Sequence, residues 1–254
     1  MIPPPSFALP RVTGHRAAAG HAPENTLTAI RWAAAHGIPW VELDVCLSAD
    51  GQPVVFHDDD VQRCTDGAGL VRTLPLSELR RLDAGSQFDL TCAGELIPTL
   101  DEALTLIGAL GLHLNLELKL HHPTQHAALS DAVLAALTRH SALQRRVLLT
   151  AFDHALLRQL RALGYPGPIG MLFQRLPSNW RDALKMIRPV TVNVDYRSVN
   201  TVAIQSVIAT GLGVQLYTVN TPAVIAHWLH NPAVGVISDY PDRFRHWIKQ
   251  AAPA

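Results

Sequence analysis

Two short segments place acidic side chains inside otherwise apolar runs. Glu42 and Asp44 lie in WVELDVCL, and Asn115, Glu117 and Lys119 alternate with leucines in LNLELK. Because successive side chains of a strand point to opposite faces, the polar residues of each segment share one face. Three converging carboxylates cost roughly several kcal/mol for each uncompensated buried ion. The pattern therefore predicts one divalent cation, Mg²⁺ or Ca²⁺, bound by the oxygens of Glu42, Asp44 and Glu117.

Ordinary ion pairing is the alternative explanation of these acids, with Arg16 and Lys119 as the cations. Lysine occurs at only three positions of the chain, and Lys119 is the one that stands in an apolar strand segment. Carboxylates at the ends of barrel strands are typical of catalytic sites. We therefore favour the cation site, while the ion pairs stay open.

Two histidines and two cationic side chains add further chemistry. His15 and Arg16 end the first apolar segment, and His57 ends a short apolar segment that follows Asp44. Imidazole titrates near neutral pH, which suits a base and an acid in catalysis. The planar guanidinium of Arg16 and the point charge of Lys119 suit a phosphoryl group. With a divalent cation, these groups predict cleavage of a phosphate ester.

The elements that carry these residues alternate between two periodicities. Segments rich in β-branched residues are separated by segments with helical periodicity, and several of the helical segments end in glycine, as expected of a left-handed cap. The pattern is typical of a parallel (β/α)8 TIM barrel in an α/β protein. The predicted strands are residues 8–15, 40–47, 112–120, 146–152, 167–173, 190–195, 213–219 and 233–239.

One interval breaks this alternation. Residues 48–98 are too many for an ordinary loop between a strand and a helix. We expect a small insertion after strand 2, with a hairpin at residues 53–57 and a short helix at residues 76–82. Residues 1–254 then form a single barrel domain that carries this insertion.

Other side chains are predicted to lie near the barrel mouth. Phe152 and Tyr217 end the fourth and seventh predicted strands, where they could contact substrate. His121 and His122 are expected in a solvated loop. Cys46 follows Asp44 on the same face, and we expect it to be a small buried filler.

Composition excludes several classes of protein. The 21 basic residues equal the 21 acidic ones, so the charge expected of a nucleic-acid binder is missing. Three cysteines without CxxC spacing argue against a disulfide framework and a structural zinc site. The N-terminal residues lack the pattern of a signal peptide, and no apolar run is long enough to span a membrane. We expect a cytoplasmic protein with no membrane span, and an oligomer is possible.

Several motifs, in order along the chain, resemble those of glycerophosphodiester phosphodiesterases. They are GHRAAAGHAPENTLTAI, VELDVCLSADGQPVVFHDD, LNLELK, YTVN and VISDYPD. The resemblance implies a TIM barrel that hydrolyses small-molecule glycerophosphodiesters to glycerol 3-phosphate and an alcohol with a divalent cation. It implies roles for matching residues: Glu42, Asp44 and Glu117 as metal ligands, His15 and His57 as the acid/base pair, and Arg16 with Lys119 as the phosphate clamp. Glu24 and Asn25 match the PENT turn of the family.

The chain departs from the family pattern at a few positions. Residues 17–19 are alanines where the family usually has glycines after HR, and Tyr217 stands where tryptophan is common. We assign His15 as the base and His57 as the acid. The nucleophile is water or the neighbouring glycerol hydroxyl. Alternative functions are a lysophospholipase D-like activity on the same barrel, a catalytically silent phosphodiester-binding protein, and an unrelated barrel such as a sugar isomerase.

Overall fold

The structure, a computed structural model, describes residues 7–250 of the chain. Nine strands form a single sheet in which β1 pairs with both β9 and β2, so that the sheet closes on itself. The strands are β1 (Val12–Gly14), β2 (Trp40–Leu47), β3 (Pro53–Val55), β4 (His113–Leu118), β5 (Val147–Ala151), β6 (Ile169–Phe173), β7 (Thr191–Asp195), β8 (Gly213–Tyr217) and β9 (Val234–Ser238).

Eight of these strands are parallel and form the barrel, and each lies in one of the eight predicted segments. The extra strand β3 runs antiparallel to β2, with Val55 opposite Val45. This pairing is the hairpin predicted in the insertion. The predicted (β/α)8 barrel is confirmed.

Most of the α-helices pack on the main core around the barrel, whereas α2 belongs to the insertion. Side chains cap free backbone N–H groups at the start of some helices: the Thr26 hydroxyl accepts from the Ala29 N–H at the start of α1, and Thr99 forms a capping box with Glu102 at the start of α3. The helices are α1 (Leu27–Ala35), α2 (Leu76–Leu79), α3 (Leu100–Ala109), α4 (His126–Arg139), α5 (His154–Ala162), α6 (Leu184–Ile187), α7 (Thr201–Ile208) and α8 (Arg245–Gln250).

One predicted helix is absent as an α-helix. Residues 221–230 carry an apolar pattern that predicts a helix, but Pro222–Ile225 is a 3₁₀ turn and the following residues are turns. The N–H of Trp228 donates to Ile225, three residues earlier, rather than four. The guanidinium of Arg11 donates to the carbonyls of Leu229 and Asn231, which holds the end of this segment.

Strand β2 separates two environments by its alternation. Val41, Leu43 and Val45 belong to the main core between strands and helices. The other face of β2 carries Glu42 and Asp44, which are therefore directed to the barrel interior. This alternation keeps the acids away from the apolar core.

The insertion has a small core of its own. Cys46 lies in it, fully buried, so the prediction of a buried filler is confirmed. The members of this second core are Cys46, Val54, Phe56, Val61, Val71, Leu79, Ala84 and Ile97. Among residues 7–250, no helix combines the length and the apolar content needed to cross a lipid bilayer.

Candidate active site

Strands β2 and β4 bring the three predicted acids together. The two strands pair so that Asp44 lies opposite Glu117, and Glu42 lies opposite Asn115. One carboxylate oxygen each from Glu42, Asp44 and Glu117 lies within 4.8 Å of the other two. All three side chains are buried. The sequence periodicity therefore predicted a real cluster.

This cluster has the properties of a site for a divalent cation. Burial, together with the carboxylates of Asp44 and Glu117, raises the pKa of Glu42 well above its ordinary value. Burial also raises the pKa of Glu117. The Oε1 atom of Glu42 is buried and finds no hydrogen-bond partner among residues 7–250. An all-oxygen donor set with an unpartnered carboxylate oxygen fits a hard divalent cation.

Two cations lie beside the acids. Lys119 Nζ is 2.6 Å from Glu117 Oε1 and 3.4 Å from Asp44 Oδ1, and Arg16 Nε is 3.7 Å from Asp44 Oδ2. Burial opposes ionisation of Asp44, but Lys119, His57 and Arg16 lower its pKa to about 2. When all three carboxylates are ionised, the two cations leave the cluster with a net negative charge. A divalent cation would make the site positive, as binding of an anionic phosphodiester requires.

The loop between β1 and α1 holds Arg16 in a strained backbone. Arg16, Ala17 and Asn25 have φ values of 48°, 70° and 59°, which is the left-handed region. A Cβ atom at Gly14 would lie 1.8 Å from the Ala17 carbonyl oxygen, so this turn requires glycine. Asn25 Nδ2 donates to Asp44 Oδ2 at 2.9 Å. Such strain is retained at functional sites where surrounding contacts hold it.

His15 lies where the barrel closes. Its Nδ1 is 2.6 Å from Oδ1 of Asp239, which directly follows β9, the neighbour of β1. Asn220 Nδ2 donates to the other carboxylate oxygen of Asp239 at 2.7 Å. This contact orients the imidazole ring of His15.

His57 has a similar partner on the insertion. Its Nδ1 is 2.5 Å from Asp58 Oδ1, and Arg63 Nε donates to Asp58 Oδ2 at 2.6 Å. Burial lowers the pKa of His57. The site therefore contains two imidazoles, each oriented by a carboxylate at Nδ1.

A cavity of about 560 Å³ opens beside the acids. Phe152 lines it and is 44% exposed, with its ring centroid 5.9 Å from Lys119 Nζ. Tyr217 meets the Phe152 ring edge-on at 6.1 Å, and its hydroxyl donates to a carbonyl of β6 at 2.7 Å. Other predicted site residues that line this cavity are His57, Glu117 and Lys119.

Known proteins with similar sequences and structures identify the family of this chain. The sequence profile of the glycerophosphoryl diester phosphodiesterase family matches residues 15–243. The chain belongs to this family. A glycerophosphodiester phosphodiesterase of Caldanaerobacter subterraneus is 30% identical over 240 residues, which cover 94% of this chain and 98% of that protein.

Two solved structures agree with the family assignment. A phosphodiesterase of Oleispira antarctica, in complex with the product sn-glycerol-3-phosphate, has a TM-score of 0.88 at 36% identity, and the match covers 95% of this chain and 97% of that one. For a glycerophosphodiester phosphodiesterase of Thermotoga maritima the TM-score is 0.74 at 26% identity, with 93% and 97% coverage. The predicted family and enzyme class are confirmed.

Four residues that contact the predicted site residues have no role assigned from the sequence. Asp239 and Asn220 support His15, while Glu24 and Arg63 lie between Arg16 and Asp58. Barrel closure could have revealed Asp239, because it directly follows the strand that pairs with β1. Arg63 stands in an irregular part of the insertion, where neither a helical nor a strand period indicates its direction.

His121 lies in a loop as predicted, but it is less solvated than the prediction expects. It is half-buried, lines the cavity, and its Nε2 is buried without a hydrogen-bond partner, whereas His122 is exposed as predicted. The N–H of Lys119 donates to the Val45 carbonyl, so strand-like pairing continues beyond β4. Beyond this bond the chain bends, and Leu118 and Leu120 line the cavity together with Glu117, Lys119 and His121.

Proposed function

We propose that the chain hydrolyses glycerophosphodiesters to glycerol 3-phosphate and an alcohol, with one divalent cation, Mg²⁺ or Ca²⁺. The observation that carries the proposal is the buried cluster of Glu42, Asp44 and Glu117 beside Lys119 and Arg16. The related phosphodiesterase that binds sn-glycerol-3-phosphate as its product supports the same product here.

Binding of the phosphodiester follows from the charges. Glu42, Asp44 and Glu117 would hold the cation, which when bound supplies positive charge next to a phosphoryl oxygen. Arg16 and Lys119 would hold the other phosphoryl oxygens, because both cations already lie next to Asp44. The ring of Phe152 would form the wall of the cavity against the glycerol or alcohol group, with Tyr217 packed against that ring.

Two proton transfers would complete the reaction. His15 Nε2 accepts the proton of the nucleophile as the oxygen of that nucleophile bonds to phosphorus. With water as the nucleophile this gives glycerol 3-phosphate directly, whereas attack by the neighbouring glycerol hydroxyl gives a cyclic phosphate that water opens in a second round of the same transfers. His57 gives a proton to the departing alkoxide as the second P–O bond breaks. A lowered pKa makes the His57 imidazolium a stronger acid. Asp239 and Asp58 hold the two rings in the orientation that these transfers need.

A direct assay tests the proposal. Release of glycerol 3-phosphate from glycerophosphocholine and glycerophosphoethanolamine is measured before EDTA treatment, after it, and after Mg²⁺ or Ca²⁺ is restored. We expect EDTA to abolish release and one of the two ions to restore it. If no ion supports release while glycerol 3-phosphate still binds, the chain is a catalytically silent phosphodiester-binding protein.

The tip of the insertion favours a second candidate, a lysophospholipase D-like activity. Phe88, Leu90 and Leu96 are exposed there, Leu90 by 82%. Phe88 also lines a smaller cavity of about 170 Å³ together with Glu24 and Arg63, so apolar surface adjoins the site. An acyl chain could lie on this surface. Choline release from lysophosphatidylcholine at a rate above that from glycerophosphocholine would favour this candidate.

A further inference from the structure

Arg63 lies at the centre of a set of charges that links both sides of the candidate site. We infer that Arg63 is a positioning residue: through Glu24 it holds Arg16, and through Asp58 it holds His57. The inference rests on the proposed function, because Arg16 and His57 matter through their proposed contacts with substrate. Arg63 itself need not touch the substrate.

The geometry shows a single guanidinium bound to two carboxylates. Arg63 Nη1 and Nη2 donate to Glu24 Oε2 and Oε1, both at 2.8 Å. On Asp58, Arg63 Nε donates to Oδ2 at 2.6 Å and Nη2 donates to Oδ1 at 3.0 Å. Both contacts are bidentate, which fixes the plane of each carboxylate as well as its position.

Each of the two carboxylates also contacts a predicted site residue, so its fixed position fixes that residue as well. Arg16 Nη1 donates to Glu24 Oε1 at 2.5 Å, and His57 Nδ1 is 2.5 Å from Asp58 Oδ1. Glu24 lies in the loop between β1 and α1, whereas Asp58 and Arg63 lie in the insertion. Arg63 therefore connects the proposed phosphate clamp of the barrel with the proposed proton donor of the insertion.

Stability alone does not explain this arrangement. The Arg63 side chain is 49% exposed, and ion pairs of such exposure contribute little to the free energy of unfolding. Arg63 uses its planar, forked donors toward both acids, which the single ammonium of lysine cannot reproduce. The residue type thus matters for the orientation of Glu24 and Asp58 more than for the free energy of unfolding.

The chain offers a matched control in Arg80. Its guanidinium donates to both carboxylate oxygens of Glu102 at 3.0 and 2.8 Å. Arg80 also joins the insertion to the barrel, because it follows α2 and Glu102 belongs to α3. It differs from Arg63 in having no contact with Glu24 or Asp58 among its hydrogen bonds.

The experiment compares Arg63→Lys with Arg80→Lys in the metal-loaded protein. For Arg63→Lys we expect kcat/KM to fall about 10- to 100-fold, since a small misplacement of catalytic groups has effects of this size. A lower kcat would indicate that His57 is misplaced. A higher KM, with weaker binding of glycerol 3-phosphate measured by calorimetry, would indicate that Arg16 is misplaced. Arg80→Lys should keep kcat, KM and binding within about twofold, with a similar shift in Tm.

A double-mutant cycle gives an independent measurement. If Arg63 acts through Asp58, the losses of Arg63→Lys and Asp58→Asn will combine to less than their sum in free energy. Glu24→Gln disrupts the bridge from its other end, and we expect it to raise KM even if Arg63→Lys folds poorly. Equal kcat, KM and product binding in Arg63→Lys and Arg80→Lys would overturn the inference. A wild-type protein without hydrolysis overturns the proposed function instead, and binding of glycerol 3-phosphate then decides the role of Arg63.

Discussion

The two histidines of the site have the same local partner but different supports. His15 and His57 both place Nδ1 close to a carboxylate oxygen, at 2.6 Å from Asp239 and 2.5 Å from Asp58. On the barrel side, the carboxylate belongs to the residue after β9. On the insertion side, it belongs to the residue next to the histidine itself.

The difference lies in what holds each carboxylate. Asp239 accepts from the neutral amide of Asn220, and its own N–H donates to Asn220 Oδ1 at 2.9 Å. Asp239 directly follows β9, and Asn220 lies in the loop after β8. Asp58 is bound by the half-exposed guanidinium of Arg63. The histidine–aspartate pair thus occurs twice. One pair is held by groups of the barrel, and the other is held by an ion pair that joins the insertion to the β1–α1 loop.

Removal of the two imidazoles should have the largest effect and should separate their roles. His15→Ala and His57→Ala are each expected to lower kcat on glycerophosphocholine by about 100-fold or more. A 4-nitrophenyl ester of glycerol 3-phosphate has a leaving group that needs no proton. On that ester, His57→Ala should regain most of the wild-type rate, whereas His15→Ala should not.

The choice of ester contains its own control, because each variant is measured on both substrates with the same metal. Equal losses of His57→Ala on the two esters would contradict its role as the acid. Recovery of His15→Ala instead would exchange the two assignments.

Removal of the aspartate charge from each histidine–aspartate pair should have an intermediate effect on kcat. Asp239→Asn and Asp58→Asn are expected to lower kcat about 10- to 100-fold, because each ring loses the carboxylate that orients it. Asp58→Asn should also raise KM. It weakens the contact of Arg63 with residue 58, so that Arg63 no longer holds Glu24, and through it Arg16, in a fixed position. Steady-state kinetics of the two variants test this difference. A raised KM in Asp239→Asn, with none in Asp58→Asn, would contradict the link through Arg63.

Periodicity predicted most of the fold and the centre of the site. The alternation in β2 and β4 predicted that Glu42, Asp44 and Glu117 face one way, and barrel geometry brings these strands side by side. The apolar pattern of residues 221–230 led to a wrong prediction of an α-helix. Over a short segment, a 3₁₀ turn and an α-helix bury apolar residues at similar spacings.

The supports of the site were harder to predict. Asp239 and His15 are 224 residues apart along the chain, and only closure of the barrel brings them together. Arg63 and Glu24 are joined by packing of the insertion on the β1–α1 loop, which no local period encodes. His121 lies in a bend after β4, so the alternation within that strand does not predict its place at the cavity.

The smallest difference between the barrel side, with Asp239, and the insertion side, with Asp58, is expected in how the stability of the fold depends on acid pH. Burial opposes ionisation of Asp58, but Arg63 and His57 lower its pKa below the ordinary value, and His15 and Asn220 do the same for Asp239 against burial. A carboxylate with a lowered pKa stabilises the fold above its unfolded-state pKa of about 3.9, and this contribution is lost as pH falls toward the folded-state pKa.

Asp58→Asn should therefore reduce the free energy of unfolding at pH 7 by about 1 kcal/mol or less, given the exposure of Arg63. Its stability should decline less than that of wild type as pH falls below about 4. Asp239→Asn should change the curve in the same direction, but less, because its carboxylate is held by a neutral amide rather than by a guanidinium. Urea unfolding at a series of pH values measures both curves. An acid limb as steep in Asp58→Asn as in wild type would mean that the Arg63–Asp58 ion pair adds no stability, so that this pair serves to orient His57.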